Sequence, residues 1–334
     1  MKSIRIISTL GPSTLKSKFL KETKKDIDIF RLNMSHLTLD ELIKNLKFLK
    51  KNKIKNICLD TEGAQIRTVK TKKKYFKKKT KIILSCKKIN NKNSIQLYPE
   101  FSFNGLKSKT KISIGFNGLN LKIIKVDEKY LKCSVVEPGY LESNKGVHLN
   151  SETKLNPLTT KDIDAIKIAK KFNIKMFALS FANDPSDVYL IKKLIPKQSL
   201  VISKIETKKG FLNRKKIIKL SDAILIDRGD LSRYIDIPKI PLAQRLIIND
   251  AKKLNTKIFV ATNLLETMIN HNEPTRAESN DIYSSLEMGA NGLVLAAETA
   301  IGKYPTQCVK FLKKSIDVFY KRKEHVLKNM NFFN

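Results

Sequence analysis

The sequence has no tryptophan, four cysteines, four histidines and no long apolar run. Each shortage excludes something. Cys58, Cys86, Cys133 and Cys308 fall singly, with no CxxC spacing, which argues against zinc ribbons, iron–sulfur clusters and redox pairs; they read as reduced, mostly small core residues. No apolar stretch approaches the ~18 residues that a membrane-spanning helix needs, so no membrane partner is expected. The first residues, MKSIRIISTLGPST, lack the ~7–15-residue apolar segment and small-residue cleavage site of a secretory signal, and a cytoplasmic chain is expected. Acidic residues are scarce as well: 31 Asp and Glu face 66 Lys and Arg, a formal net charge of +35. Such a charge invites a nucleic-acid reading. Only nine of the 66 are Arg, however, and the Lys residues run over the whole length. Interfaces that read bases or fork phosphates gather Arg and aromatics in one place, so the spread argues against nucleic acid as the main partner. The densest run, Lys70–Lys81 (KTKKKYFKKKTK), holds only Tyr75 and Phe76 and reads as the solvated surface of a turn or edge strand. In a chain that defaults to Lys, each retained Arg is informative; Arg31, Arg67, Arg228 and Arg276 fall in the segments taken up below.

What is present is a folded chain. Its 334 residues are 41 % hydrophobic and 29 % charged, enough for one large domain or two smaller ones. Short β-branched or apolar runs predict eight strands, at 4–8, 27–32, 56–60, 176–181, 200–205, 223–226, 257–261 and 292–296. Between them lie helical patterns at 39–50, 160–172, 185–195, 240–254, 279–288 and 305–320, with caps expected at Thr159 or Thr160, Asp184 before Pro185, and Ser279 or Asn280. Eight strands alternating with helices predict an α/β fold, an eightfold β/α (TIM) barrel. From Val69 to Asn156 the rhythm changes to short strands, among them KIILSC, SIQLYP, KISIGF, LKIIKV and LKCSVV, with turns between and no good helix. This predicts a small all-β, barrel-like domain over 69–156 inserted after the third strand, the barrel taking 1–68 and 157–334. An insert at a strand's C-terminal end belongs over the active face, so a lid is expected. The last helix should run to about Arg322, leaving a short frayed tail.

Polar groups at strand C-termini are the ones that converge in such a barrel. The first strand ends in Ser8-Thr9, the second in Arg31, Asn33, Ser35 and His36, and the third in Asp60-Thr61, then Arg67. The fifth ends in Lys204 and Glu206, the sixth in Arg228-Gly229-Asp230, the seventh in Thr262 and the eighth in Glu298-Thr299. Glu206 and Asp230 on adjacent strands, with few His and no paired Cys, suit a hard divalent cation, magnesium by default. Lys204, two residues before Glu206, shares its face and can steady developing negative charge. Arg31 and Arg67 offer bidentate donors for phosphoryl oxygens, and Gly229 lets the backbone approach a small anion. Taken singly, a Lys-x-Glu is usually a structural ion pair, an Arg-Gly-Asp a turn, and His36 a surface residue. Their joint placement at strand ends points to phosphoryl transfer from an acidic small molecule.

At these residues the chain resembles the pyruvate kinase family. The segments IISTLGPST, IFRLNMSH, CLDTEGAQIRT, NKGVHL, LTTKD, ALSFANDPSDV, VISKIET, DAILIDRGDLS, IPLAQRLII, VATNLLETM, PTRAESND and AAETAIGKYP occur in that family's order. The resemblance implies phosphoryl transfer from phosphoenolpyruvate to ADP, giving pyruvate and ATP. It implies that Arg31 holds the phosphoryl group, that Lys204 steadies the enolate and the transition state, and that Glu206 and Asp230 bind the catalytic Mg2+. The amides of Gly229 and Asp230, with Thr262, would hold the substrate carboxylate. Asn33, Ser35, Asp60 and Thr61 match a K+ site; His36 and Arg67, with Asn33, match the nucleotide side. PTRAE lies near a barrel-to-barrel contact in that family, which makes a homodimer the expected oligomer.

The chain also departs from the pattern. The family's C-terminal regulatory domain has no counterpart in these residues, so sugar-phosphate control through it is not expected. Ala64-Gln65 replaces Pro-Glu, which leaves potassium dependence open, and Ala296-Ala297-Glu298 replaces Ser-Gly-Glu, removing a hydroxyl from the proton relay. Asp227 stands for a small residue and adds a carboxylate beside the metal; Ser232 stands for Gly. Gly115-Phe116-Asn117-Gly118 lies where the lid carries acids. These departures keep two alternatives open: a lyase or other phosphotransferase using a magnesium-stabilised enolate, and a non-catalytic phosphoenolpyruvate- or polyanion-binding protein.

Overall fold

The computed structural model describes residues 4–115, 118–151 and 153–327. The chain divides into two compact units, Met1–Glu62 with Thr160–Asn334, and Gly63–Thr159. In the first, eight parallel strands close on themselves: β1 (Arg5–Thr9), β2 (Ile29–Asn33), β3 (Ile57–Asp60), β4 (Met176–Leu179), β5 (Leu200–Ile205), β6 (Ala223–Asp227), β7 (Lys257–Ala261) and β8 (Gly292–Leu295). Sequential strands are neighbours, and β8 returns to β1. All eight expected strands are present, and the unit is an eightfold β/α barrel.

The strands are rich in Ile, Leu and Val because both of their faces are covered, one by the barrel interior and the other by helices. Along each strand every second side chain points inward. The inner core gathers Ile7, Ile29, Cys58, Ala178, Ile202, Ala223, Leu225, Phe259, Ala261 and Val294 from all eight strands. That parity decides which polar residues enter the barrel mouth.

The principal outer helices are α1 (Ser17–Thr23), α2 (Leu39–Lys51), α3 (Thr160–Lys171), α4 (Pro185–Leu194), α5 (Arg214–Leu220), α6 (Ile240–Lys253), α7 (Arg276–Met288) and α8 (Pro305–Leu327). Asp184 caps α4 as expected, in a reciprocal box with Asp187 and with Pro185 in the first turn. Two expected boundaries are corrected. Helix α7 begins at Arg276 rather than Ser279, because Thr275 and Glu278 form a capping box that neither Ser279 nor Asn280 provides. Helix α8 runs past Arg322 to Leu327, and the expected tail from 328 onward lies outside the described residues. The short helices α1 and α5 escaped the sequence reading because seven residues carry too little periodicity.

The second unit is all-β. A seven-stranded sheet runs, in spatial order, Val147–Leu149, Lys111–Ile114, Leu119–Val126, Leu131–Glu137, Lys81–Ser85, Ser94–Tyr98 and Arg67–Thr68. Its two edges meet: the Val147 amide donates to the Ile66 carbonyl at 2.7 Å and the Thr68 amide to Lys145 at 2.9 Å. The basic run supplies the strand Lys74–Phe76, which among the described residues pairs only with Gly139–Leu141; Phe76 is buried while Tyr75 faces solvent. The free cysteines Cys58, Cys133 and Cys308 are buried and Cys86 is partly so. Phe116 and Asn117, read as part of the lid's departure from the family, lie outside the described residues.

The barrel is packed to contact where β8 meets β1 and β7. A Cβ on Gly292 would lie 2.6 Å from the Arg5 carbonyl oxygen and 2.8 Å from the Phe259 ring. Gly292→Ala should therefore destabilise the fold by about 1–3 kcal/mol, the usual cost of overpacking. Urea unfolding checks this; an unchanged midpoint would mean that the strands part without strain.

Candidate active site

The parity of the barrel strands builds the site. Two residues beyond the inward-facing Ile7, Ile29, Cys58, Ala178, Ile202 and Leu225 come Thr9, Arg31, Asp60, Ser180, Lys204 and Asp227, and Glu206 follows Lys204 by two more. All therefore enter the C-terminal mouth of the barrel, where its polar groups can meet.

They meet as one buried network. Arg31 donates from Nε to Asp60 Oδ2 at 2.7 Å and from Nη1 to Thr9 Oγ1 at 2.7 Å, while Nη2 pairs with Asp60 Oδ2 at 2.5 Å. Lys204 Nζ donates to the same Oδ2 at 3.3 Å and to Ser180 Oγ at 3.1 Å. It lies 2.9 Å from Glu206 Oε1 and 4.0 Å from Asp227 Oδ2. Asp60 Oδ1 accepts from the Ser180 hydroxyl at 3.0 Å. Arg31, Asp60, Lys204, Glu206 and Asp227 are all buried. Burial would neutralise these groups; for Asp60 and Lys204 the neighbours decide otherwise. For Asp60 burial is outweighed by Lys204 and Arg31, and the carboxyl stays below its ordinary range. For Lys204 burial is outweighed by Asp60 and Glu206, which hold the ammonium firmly protonated.

Glu206, Asp227 and half-buried Asp230 each turn a carboxylate oxygen to within 4.8 Å of the others. Glu206 Oε2 accepts from the Phe181 amide at 2.6 Å, whereas Oε1, closed off from solvent, accepts no well-formed hydrogen bond among the described residues. Burial, aided by Asp227 and Asp230 and opposed by Lys204, pushes Glu206 up to about 8. Burial raises Asp227 too. Carboxylates with a spare lone pair, held together against their own repulsion, fit a hard divalent cation such as Mg2+.

Beside this cluster the chain makes two unfavourable turns. Thr262 has φ +68° and Phe181 φ +52°, positions that β-branched and bulky residues avoid, each costing about 1–3 kcal/mol unless the surroundings enforce it. The Glu206 carboxylate enforces the second through the Phe181 amide. Arg228 enforces the first: its Nη1 donates to both Asp281 oxygens at 2.7 and 2.8 Å, while Nε, at 3.1 Å, and Nη2 donate to the Thr262 carbonyl. Only a planar fork can span α7 and this loop at once. Thr262 Oγ1 in turn accepts from the Gly229 amide at 2.9 Å, and Ser232 donates to the Gly229 carbonyl at 2.7 Å. The Asp227 side chain caps the turn Arg228–Leu231, accepting weakly from the Asp230 amide at 3.5 Å.

The remaining expected residues divide between the two units. Asn33 pairs in register with Asp60, and its Oδ1 accepts from the Ser35 amide at 3.0 Å; Thr61 Oγ1 accepts from the Ser180 amide at 3.0 Å. His36 is exposed at the end of the turn Met34–His36. Arg67 belongs to the second unit, where Nη1 donates to the Asn144 carbonyl at 3.4 Å. Glu298 is buried and holds the amides of Leu265 and Ala296 at 3.2 and 2.7 Å, a structural clasp that also accounts for the neighbouring Ala296-Ala297 turn. Arg276 is exposed at the start of α7. The sequence reading missed Ser180 as a partner of Lys204 and took Asp227 only as a perturbation. Counting inward from Ala178 and Leu225 in steps of two would have found both.

Comparison with known proteins agrees with this geometry. The model of the pyruvate kinase barrel domain matches residues 1–309. The pyruvate kinase of Thermotoga maritima is 34 % identical over 328 residues, 94 % of this chain and 70 % of that protein. That of Methanocaldococcus jannaschii is 35 % identical over 321 residues, 94 % and 69 %. That of Staphylococcus epidermidis is 29 % identical over 328 residues, 94 % and 56 %. With a closed eight-stranded barrel, an all-β unit between its third and fourth strands and a Lys204–Glu206–Asp230 mouth, the chain belongs to the pyruvate kinase family.

Proposed function

We propose that the chain transfers the phosphoryl group of phosphoenolpyruvate to ADP, giving pyruvate and ATP, with Mg2+ at Glu206 and Asp230. The observation that carries the reading is the ammonium of Lys204, 2.9 Å from Glu206 and 3.3 Å from Asp60 at the mouth of the barrel. A phosphoryl transfer leaves the protein little covalent chemistry, so positioning and charge do the catalysis.

Arg31 is locked by Asp60 and Thr9 through three of its five N–H groups, which leaves two to fork the transferring phosphoryl oxygens. Lys204 stays charged and stabilises the enolate oxygen as the phosphoryl group departs; held firmly protonated, it acts as a fixed charge rather than as the acid that protonates the enolate carbon. The Gly229 and Asp230 amides, with Thr262, receive the substrate carboxylate, for which the Thr262–Gly229 contact would open. A bound divalent cation would supply Lewis-acid polarisation and offset the charge of the anionic donor. Of the residues that match the family's nucleotide side, His36 and Asn33 belong to the barrel and would serve the nucleotide from there. A monovalent K+ would draw on Asn33, Ser35, Asp60 and Thr61, and assays with and without K+ decide whether Gln65 has removed that need.

Purified protein with phosphoenolpyruvate, ADP and Mg2+ should form pyruvate, and Lys204→Met should lower kcat by at least about 10²-fold, as loss of a preorganised charge does. Absence of turnover would refute the proposal; pyruvate released without ADP would favour the lyase alternative.

Proton linkage gives a second test. Between the ordinary glutamate range and about 8, folded Glu206 binds a proton that the unfolded chain has lost, so metal-free stability falls as pH rises through this window. A divalent ion displaces that proton and cancels the loss. The gap in Tm with and without Mg2+ should therefore widen from pH 6 to pH 8 in thermal melts, and a constant gap would rule out a proton held at Glu206.

A further inference from the structure

Asp227 does more than cap a turn. In the family's pattern this position carries a small residue, and here it adds a buried carboxylate whose oxygen lies within 4.8 Å of those of Glu206 and Asp230. We infer that Asp227 is a third carboxylate of the divalent-cation site, which tightens the cation on the substrate-free protein and makes anion entry depend on it. The inference rests on the magnesium reading above and concerns this chain's own departure from the family.

Three observations support it. Glu206 Oε1 is buried and accepts no well-formed hydrogen bond among the described residues, although Lys204 lies 2.9 Å away. That oxygen has a lone pair to give. Next, the two oxygens of Asp227 face different tasks: Oδ1 is the acceptor of the Asp230 amide, while Oδ2 is 4.0 Å from Lys204, too far for a hydrogen bond. The cap therefore leaves one oxygen for a cation. Finally, Asp227 adds a further acid to a mouth where Asp60, Glu206 and Asp230 already face Arg31, Lys204 and Arg233, whose Nε is 3.7 Å from Asp230. Acids crowded in this way disfavour one another's charge until a divalent ion enters, and the added acid makes the metal-free mouth less favourable to an anionic donor than a small residue would.

Substitution by Asn separates the cation from the cap. Asn caps a helical turn as well as Asp does but carries no charge. Titration calorimetry with Mn2+ as probe, without substrate, compares wild type, Asp227→Asn, Asp227→Ser and Glu206→Gln, with metal-free Tm recorded for each. One Mn2+ should bind wild type. Asp227→Asn should weaken it on the order of 10- to 100-fold with little change in metal-free Tm, because affinity follows the number of charged ligands. Phosphoenolpyruvate alone, without metal, should bind Asp227→Asn more tightly than wild type. The Ser variant, also a good cap and smaller, covers the case in which the amide folds poorly. Equal Mn2+ affinity in wild type and both Asp227 variants, with Glu206→Gln weakened, would overturn the inference and leave the magnesium reading standing. No Mn2+ binding to wild type would overturn both.

Discussion

The site depends on an ammonium buried among carboxylates. Lys204 lies within 4.0 Å of oxygens of Asp60, Glu206 and Asp227 and is almost closed to solvent. No member of that group is stable in the barrel alone, since each ion left unpaired there would cost several kcal/mol in lost hydration. Asp60 and Lys204 hold one another ionised, while Glu206 and Asp227 are pushed towards their protonated forms. Asp60 is the hinge of the arrangement, because a single oxygen, Oδ2, serves both Lys204 and Arg31 and so fixes the distance between the two cations. Ser180 orients both Asp60 and Lys204 from the neighbouring strand. A barrel that rigid around two positive charges is suited to a reaction in which negative charge moves from phosphoryl oxygen to enolate.

Strain is placed next to that charge. Phe181 and Thr262 both adopt the left-handed conformation at the C-terminal mouth, after β4 and β7. Each is enforced by a group tied to the site: the Glu206 carboxylate at the Phe181 amide, the Arg228 fork at the Thr262 carbonyl. Arg228 thereby explains itself. A compact ammonium could not reach both Asp281 and the Thr262 carbonyl in one plane, as this guanidinium does.

The net charge of +35 is carried mostly by Lys spread over the whole length. The lysine run at Lys70–Lys81 forms, in part, the exposed edge strand Lys74–Phe76, whose Phe76 is buried in its own unit. In a chain poor in acids, four carboxylates converge at one barrel mouth.

Much of this was legible in sequence. The eight strands show as β-branched runs because strands covered on both faces must be apolar throughout. Lys204 and Glu206 could be placed on one face from their spacing alone, and Asp184-Pro185 announced a helix start. The capping box at Thr275 and Glu278 was written in the sequence as well and passed over. What local pattern could not supply was closure. Asp227 reads as a residue before a turn until β6 lies beside β5, and Ser180 reads as a loop residue until β4 lies beside β3. The Arg228–Asp281 and Arg31–Thr9 contacts join residues 53 and 22 positions apart. Sequence fixes which side chains face inward, because parity along a strand is a local property of the backbone. Which inward-facing charges become partners is settled only when parallel strands close into a barrel, since their distances depend on register between segments that the chain does not make adjacent.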